Sequence, residues 1–67
     1  MRQGLTTSPD ATLFSAARTG DIGALRAALA RGANVNARDE TGRTPLQIAR
    51  ERNDSAIVKV LELAGAK

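Results

Sequence analysis

Few side chains in this chain of 67 residues could do chemistry, because the sequence contains no histidine and no cysteine. A serine nucleophile needs an activating base within hydrogen-bond reach, and Ser8, Ser15 and Ser55 have no histidine to provide one. The adjacent carboxylates of Asp39 and Glu40 lie among turn-forming residues, where we expect burial to shift their pKa values very little. The absence of cysteine also excludes disulfides and the usual soft-metal sites. We therefore predict no catalysis, no cofactor, no metal and no small-molecule substrate.

The composition leaves binding as the remaining class of function. The chain has ten lysine and arginine residues and seven aspartate and glutamate residues, which gives a net charge of +3. Eight of the ten basic residues are arginine. This mild excess suits an acidic partner and equally suits plain solubility. Phe14 is the only aromatic residue, so the sequence lacks the stacking surface that favours nucleic acid. The sequence has no long apolar run, so we predict neither a membrane span nor a signal peptide. We expect a cytoplasmic protein by default.

Apolar residues recur at helical spacing in four short segments, each bounded by residues that begin or end a helix. The predicted helices cover residues 11–19, 22–31, 45–52 and 55–64. Ser8 or Asp10 is expected to cap the first helix. Gly20 and Asn53 both tolerate a left-handed backbone and are expected to end the first and third helices. Residues 1–9 read as a flexible N-terminal tail.

The third predicted helix begins with the most specific motif of the chain, residues 44–49, Thr-Pro-Leu-Gln-Ile-Ala. Thr44 suits the N-cap, Pro45 suits the first helical position, and Gln47 has the spacing of a capping box. The motif and the turn residues before it resemble the start of an ankyrin repeat, whose signature is Thr-Pro-Leu-His-x-Ala. Gln47 stands where histidine is usual, so five of the six signature positions match.

Residues 33 positions apart support this resemblance, because 33 residues is the ankyrin period. The offset pairs Leu13 with Leu46, Ala16 with Ala49, Asp21 with Asp54 and Gly32 with Gly65. Residues 32–37, Gly-Ala-Asn-Val-Asn-Ala, also resemble the segment that links ankyrin repeats. The resemblance implies an all-α, ankyrin-type helical solenoid with two helix-turn-helix repeats, residues 10–38 and 39–67. A β-turn finger around residues 39–42 would join them.

Two stacked repeats must bury one shared interface. We expect it to contain Leu13, Ala16, Leu25, Leu29, Leu46, Ile48, Ala49, Ile57, Val58 and Leu61. Three residues of repeat one are smaller than their counterparts in repeat two, as if an earlier repeat once packed there: Ser15, Ala24 and Ala28. In repeat two, the charged residues Arg50 and Glu62 stand where repeat one has apolar residues. We expect them to form an exposed ion pair that prevents a further repeat from packing there. The repeats thus read as an N-terminal and a C-terminal cap, which favours a complete chain.

The resemblance implies recognition of another protein through the finger and the exposed side of the first helix of each repeat. At the matching positions the predicted partner-binding residues are Arg18, Thr19, Arg31, Arg38, Glu40, Thr41, Arg43, Glu51 and Arg52. Five of these nine are arginine, whose planar guanidinium pairs with carboxylates. We therefore expect an adaptor or regulator that binds an acidic protein segment. The alternative is that these arginines only keep the surface soluble.

A different class of function remains open, namely a self-associating structural unit. Solenoids usually need about three repeats for stability, so a second copy could complete the two-repeat stack as a homodimer. Phe14, which aligns with Gln47, is expected either to cover the open N-terminal end of the core or to anchor a contact in a dimer or complex. A nucleic-acid binder is the weakest alternative, because the basic excess is small.

Overall fold

The computed structural model describes residues 8–66, so most of the predicted tail, residues 1–7, lies outside the described residues. Within residues 8–66 the chain forms four helices and no strand: α1 (Pro9–Thr19), α2 (Ile22–Ala30), α3 (Pro45–Glu51) and α4 (Ser55–Leu63). The predicted all-α fold is confirmed, and each helix begins and ends within two residues of its predicted limits. The longest of these helices has 11 residues, too few to cross a bilayer.

Local hydrogen bonds explain where α1 begins. The Ser8 hydroxyl accepts a hydrogen bond from the Ala11 amide at 3.1 Å, so Ser8 rather than Asp10 is the N-cap. Pro9 is the first helical residue, where its missing N–H has no cost. The helix therefore begins at Pro9, within the predicted tail of residues 1–9.

The capping box predicted for α3 is present. The Gln47 amide donates to the Thr44 hydroxyl at 3.3 Å, and the Thr44 amide donates to the Gln47 side-chain oxygen at 2.9 Å. Each residue thus satisfies a backbone donor that the helix leaves unpaired. The glutamine that replaces the usual histidine of the motif therefore stabilises the start of α3.

The four helices form two packed pairs that lie beside each other. α1 packs on α2 and α3 packs on α4, while α1 lies beside α3 and α2 beside α4. The main cluster of buried residues draws on all four helices: Leu13, Ala16, Leu25, Ala28, Leu46, Ala49, Ile57 and Leu61. Of the ten predicted interface residues, all but Leu29 and Val58 are buried, and those two are half-buried at its edge.

The interpretation of Ala28 as part of an open end is wrong. Ala28 has no exposed surface and belongs to the main buried cluster. Because its methyl group is short, the neighbouring helices cover it without an earlier repeat. Ser15 is exposed and Ala24 is half-buried, so the small residues of repeat one occupy three different environments.

The open end of repeat two carries the predicted ion pair. The Arg50 guanidinium lies 3.5 Å from the Glu62 carboxylate, and both side chains are more than half exposed. An exposed pair of this kind stabilises a fold by less than about 1 kcal/mol. That this pair prevents a further repeat from packing there stays a prediction.

The turn between α1 and α2 requires glycine for two reasons. Gly20 has a φ of +77°, which is in the left-handed region. A Cβ atom at Gly20 would lie 3.0 Å from the Asp54 carboxylate and 3.1 Å from the Arg52 guanidinium, both of repeat two. The first turn is therefore also a place where the second repeat approaches the backbone of the first.

Replacing Gly20 with alanine should destabilise the fold more than the same change at Gly32. Gly32 also has a positive φ, +92°, but a Cβ there would meet no atom within 4 Å. Gly32→Ala should cost only the left-handed strain of about 1–2 kcal/mol, whereas Gly20→Ala adds crowding against repeat two. Urea unfolding of both variants measures the difference, and equal losses of unfolding free energy would contradict the close approach.

Candidate partner-binding surface

The loop between α2 and α3 is organised by the Asp39 carboxylate. One of its oxygens accepts hydrogen bonds from the Thr41 amide at 2.8 Å and the Thr41 hydroxyl at 2.6 Å, and from the Arg43 amide at 3.0 Å. In the backbone, the Gly42 amide donates to the Asp39 carbonyl and the Asp39 amide donates to the Arg43 carbonyl, both at 2.9 Å. The carboxylate thus closes a turn over residues 39–43. A projecting finger at this place stays a prediction.

The same carboxylate connects this turn to the first helix. Its second oxygen lies 3.0 Å from the guanidinium of Arg18 on α1. The Asp39 side chain is only 6% exposed, while half of the Arg18 side chain remains in contact with solvent. The ion pair therefore holds the loop against α1 and leaves part of the arginine available at the surface.

Hydrogen bonding also changes the acidity of Asp39. The Thr41 hydroxyl makes the largest contribution, followed by the Arg43 amide, and together with smaller contributions that include Arg18 they lower the pKa of Asp39 from 3.8 to about 2. Donors that favour the charged carboxylate have this effect. The prediction of little shift is wrong because it rests on burial alone and leaves hydrogen bonding out. The aspartate–threonine spacing, which is typical of an Asx turn, is the signal in the sequence that indicates these hydrogen bonds.

A second contact ties the beginning of α1 to the beginning of the loop. The Asp10 carboxylate accepts a hydrogen bond from the Asn34 amide at 2.7 Å. The Asn34 side chain in turn accepts from the Asn36 amide at 3.0 Å. Asp10, which was one of two candidates for the cap of α1, therefore positions the loop instead.

Helix α1 and the loop border an open slot of about 310 Å³. Its lining comes from Ser8, Asp10, Ala11, Phe14 and Arg18 on the helix side and from residues 37–40 of the loop. Four of these residues are predicted contact residues: Phe14, Arg18, Arg38 and Glu40. The others are not predictable from the sequence, because their proximity depends on how the loop folds back.

Phe14 of α1 also lines this slot. It is 8% exposed and belongs to a small buried cluster with Ala17 and Ile48, against which Ala37 of the loop packs. Because Ile48 lies on α3, Phe14 contacts the second repeat as well as the loop. The two roles predicted for Phe14, covering the open N-terminal end of the core and anchoring a contact in a dimer or complex, stay predictions.

The other predicted binding residues do not line the slot. Arg43 forms an ion pair with Glu51, which joins the loop to the end of α3. The Thr19 hydroxyl donates to the carbonyl of Ser15 at 3.0 Å, so part of its polarity is used within α1. The remaining predicted residues end helices or belong to the Asp39 turn: Arg31, Arg52 and Thr41.

Ion pairs balance part of the arginine charge of this chain, whose net charge is +3. Of the five arginines in the predicted surface, Arg18 and Arg43 already pair with carboxylates. The other three have no ion-pair partner among residues 8–66: Arg31, Arg38 and Arg52.

The lowered pKa of Asp39 predicts a specific dependence of stability on pH. Because the folded pKa is about 2 and the ordinary value is 3.8, the stabilisation from this carboxylate is complete above about pH 4 and is lost as the pH falls through about 2. Unfolding by urea should therefore show a steeper loss of stability on acidification for the natural chain than for Asp39→Asn. Glu40→Gln is the matched control, since Glu40 makes no hydrogen bond or ion pair in residues 8–66. Equal pH dependence of the natural chain and Asp39→Asn would exclude this role.

Comparison with known proteins agrees with this architecture. A family model described as ankyrin repeats (many copies) matches residues 13–62. Over 60 residues the chain is 40% identical to the mitochondrial disaggregase of Bos taurus, and the match covers 90% of this chain but only 9% of that protein. Helix pairs that stack in register and a family model that spans most of them lead to one conclusion, which is that the chain belongs to the ankyrin repeat family.

Proposed function

We propose that this chain is a non-catalytic module that binds another protein through α1 and the loop packed against it. Ankyrin repeats generally mediate protein–protein interaction. The observation that carries the proposal here is the slot between α1 and the loop, whose walls are joined by the Arg18–Asp39 and Asp10–Asn34 contacts. A concave surface that is already formed loses little conformational entropy on binding, which favours affinity.

The proposal also specifies acidic residues in the partner. Arg31, Arg38 and Arg52 are exposed and have no carboxylate partner within residues 8–66. Their guanidinium groups are free to make two-pronged contacts with carboxylates. A net charge of +3 gives no broad basic field, so the contacts would be local and nucleic acid is a poor partner.

The activity of the bovine relative is not extended to this chain. The relative is named a mitochondrial disaggregase, and this chain matches only 9% of it. We propose only a recognition role for the matched residues, and no disaggregase activity. A cytoplasmic location for this chain is likewise our proposal.

Charge reversal at two unpaired arginines tests the proposal. Arg38→Glu/Arg52→Glu should reduce the amount of partner protein retained on the immobilised chain, because the partner's carboxylates would then meet like charges. Arg26→Glu/Lys59→Glu makes the same change in net charge on the exposed sides of α2 and α4 and should leave retention unchanged. Quantified mass spectrometry of the retained proteins measures both. Equal retention by the natural chain and the two double variants would contradict the proposed surface.

A further inference from the structure

We infer that Thr41 is a site of phosphorylation, and that a phosphate group on its hydroxyl releases the loop from α1. A protein kinase transfers the γ-phosphoryl group of ATP in this step. The Thr41 oxygen forms a bond to the γ-phosphorus, while the bond between this phosphorus and the oxygen bridging to the β-phosphorus breaks, and ADP leaves with that oxygen. The hydroxyl proton passes to the catalytic base of the kinase.

Thr41 lies where an enzyme can reach it. It is exposed and belongs to the loop between α2 and α3, so no helix must unwind for its hydroxyl to enter an active site. Seven of residues 8–66 are serine or threonine, and among them only Thr41 and Ser55 have an arginine three positions earlier, Arg38 and Arg52. Kinases select their substrates partly by such charge patterns. Ser55 is the first residue of α4, which leaves Thr41 as the one in a loop.

The unmodified hydroxyl holds the carboxylate that orders the loop. It donates to one oxygen of Asp39 at 2.6 Å, which is shorter than the hydrogen bonds that the same oxygen accepts from the Thr41 and Arg43 amides. The other oxygen of Asp39 pairs with Arg18 of α1 at 3.0 Å. The Thr41 hydroxyl therefore supports both the turn over residues 39–43 and the attachment of this turn to the first helix.

A phosphate at Thr41 reverses this contribution. It removes the donated hydrogen and adds a charge of about −1.5 to −2 beside the carboxylate. The Asp39 side chain is only 6% exposed, so solvent ions screen the repulsion weakly, and Glu40 adds a further negative charge next in the chain. The carboxylate is therefore driven out of the turn and away from Arg18. Arg38, which has no ion-pair partner within residues 8–66, is then available to bind the phosphate.

Ser55 offers a matched comparison within the same chain. A phosphate there would lie at the start of α4, where the unpaired amides and the helix dipole favour negative charge. Ser55 also lines an open cavity together with Arg50, whose guanidinium can face the added charge. The same chemical group should therefore leave the loop in place when it is on Ser55 and release the loop when it is on Thr41.

Chemical synthesis of the full chain with phosphothreonine at 41 or phosphoserine at 55 tests the release of the loop without any partner protein. Hydrogen exchange of the Gly42 and Arg43 amides, followed by NMR, reports whether the turn is closed. Phosphate on Thr41 should speed both by at least about tenfold, the factor that corresponds to losing one charge-assisted hydrogen bond. Phosphate on Ser55 should change neither. Thr41→Val removes the hydroxyl without adding charge and should cause a smaller increase. Unchanged exchange on phosphorylation of Thr41, or an equal increase in Thr41→Val, would overturn the inference.

A kinase reaction tests whether Thr41 is accepted as a substrate. The natural chain is incubated with ATP and a protein kinase that selects arginine three positions before its target, and mass spectrometry locates the phosphate. Phosphate should appear on Thr41, and Arg38→Gln should slow its appearance there while leaving the rate at Ser55 unchanged. Thermal unfolding of Arg38→Gln checks that the variant folds. A phosphate found only on Ser55, or on neither residue, would exclude Thr41 as the site.

Discussion

Neither helix pair of this chain covers its own apolar side, and the whole structure depends on the contact in which each pair covers the other. Leu13 and Leu25 of the first repeat and Ile57 and Leu61 of the second are almost completely buried in one cluster. A chain of this length buries only about 60% of the surface that its unfolded form exposes, so a small set of apolar residues supplies most of the stability. The charged residues lie outside this cluster, on the exposed sides and ends of the helices and in the turns and the loop.

Asp39 connects this packed scaffold to the surface that we propose for binding. Its carboxylate closes the loop turn with one oxygen and holds α1 through Arg18 with the other. The loop therefore has a defined position relative to the first helix, although no strand supports it in residues 8–66. A single carboxylate thus accounts for both the shape of the loop and the presence of a slot beside it.

The fold balances several of the arginine charges that the composition counts as a basic excess. Counted along the chain, arginine suggests a basic surface for an acidic partner. In the fold, Arg18, Arg43 and Arg50 face carboxylates, so their charges are balanced locally. The binding that we propose would then depend on the charges that have no ion-pair partner in residues 8–66. Two of them, Arg38 and Glu40, line the slot beside α1.

Features that depend on neighbours within one helical turn, or on the 33-residue period, are predictable from the amino-acid sequence. The Thr44–Gln47 capping box and the left-handed Asn53 are examples, because their hydrogen bonds and backbone angles are local. The burial of Ala28, the position of Phe14 and the pairing of Arg18 with Asp39, 21 residues apart, emerge only in the folded chain. These contacts depend on how the loop folds back onto α1 and how the helix pairs pack, and spacing along the chain does not specify such long-range contacts.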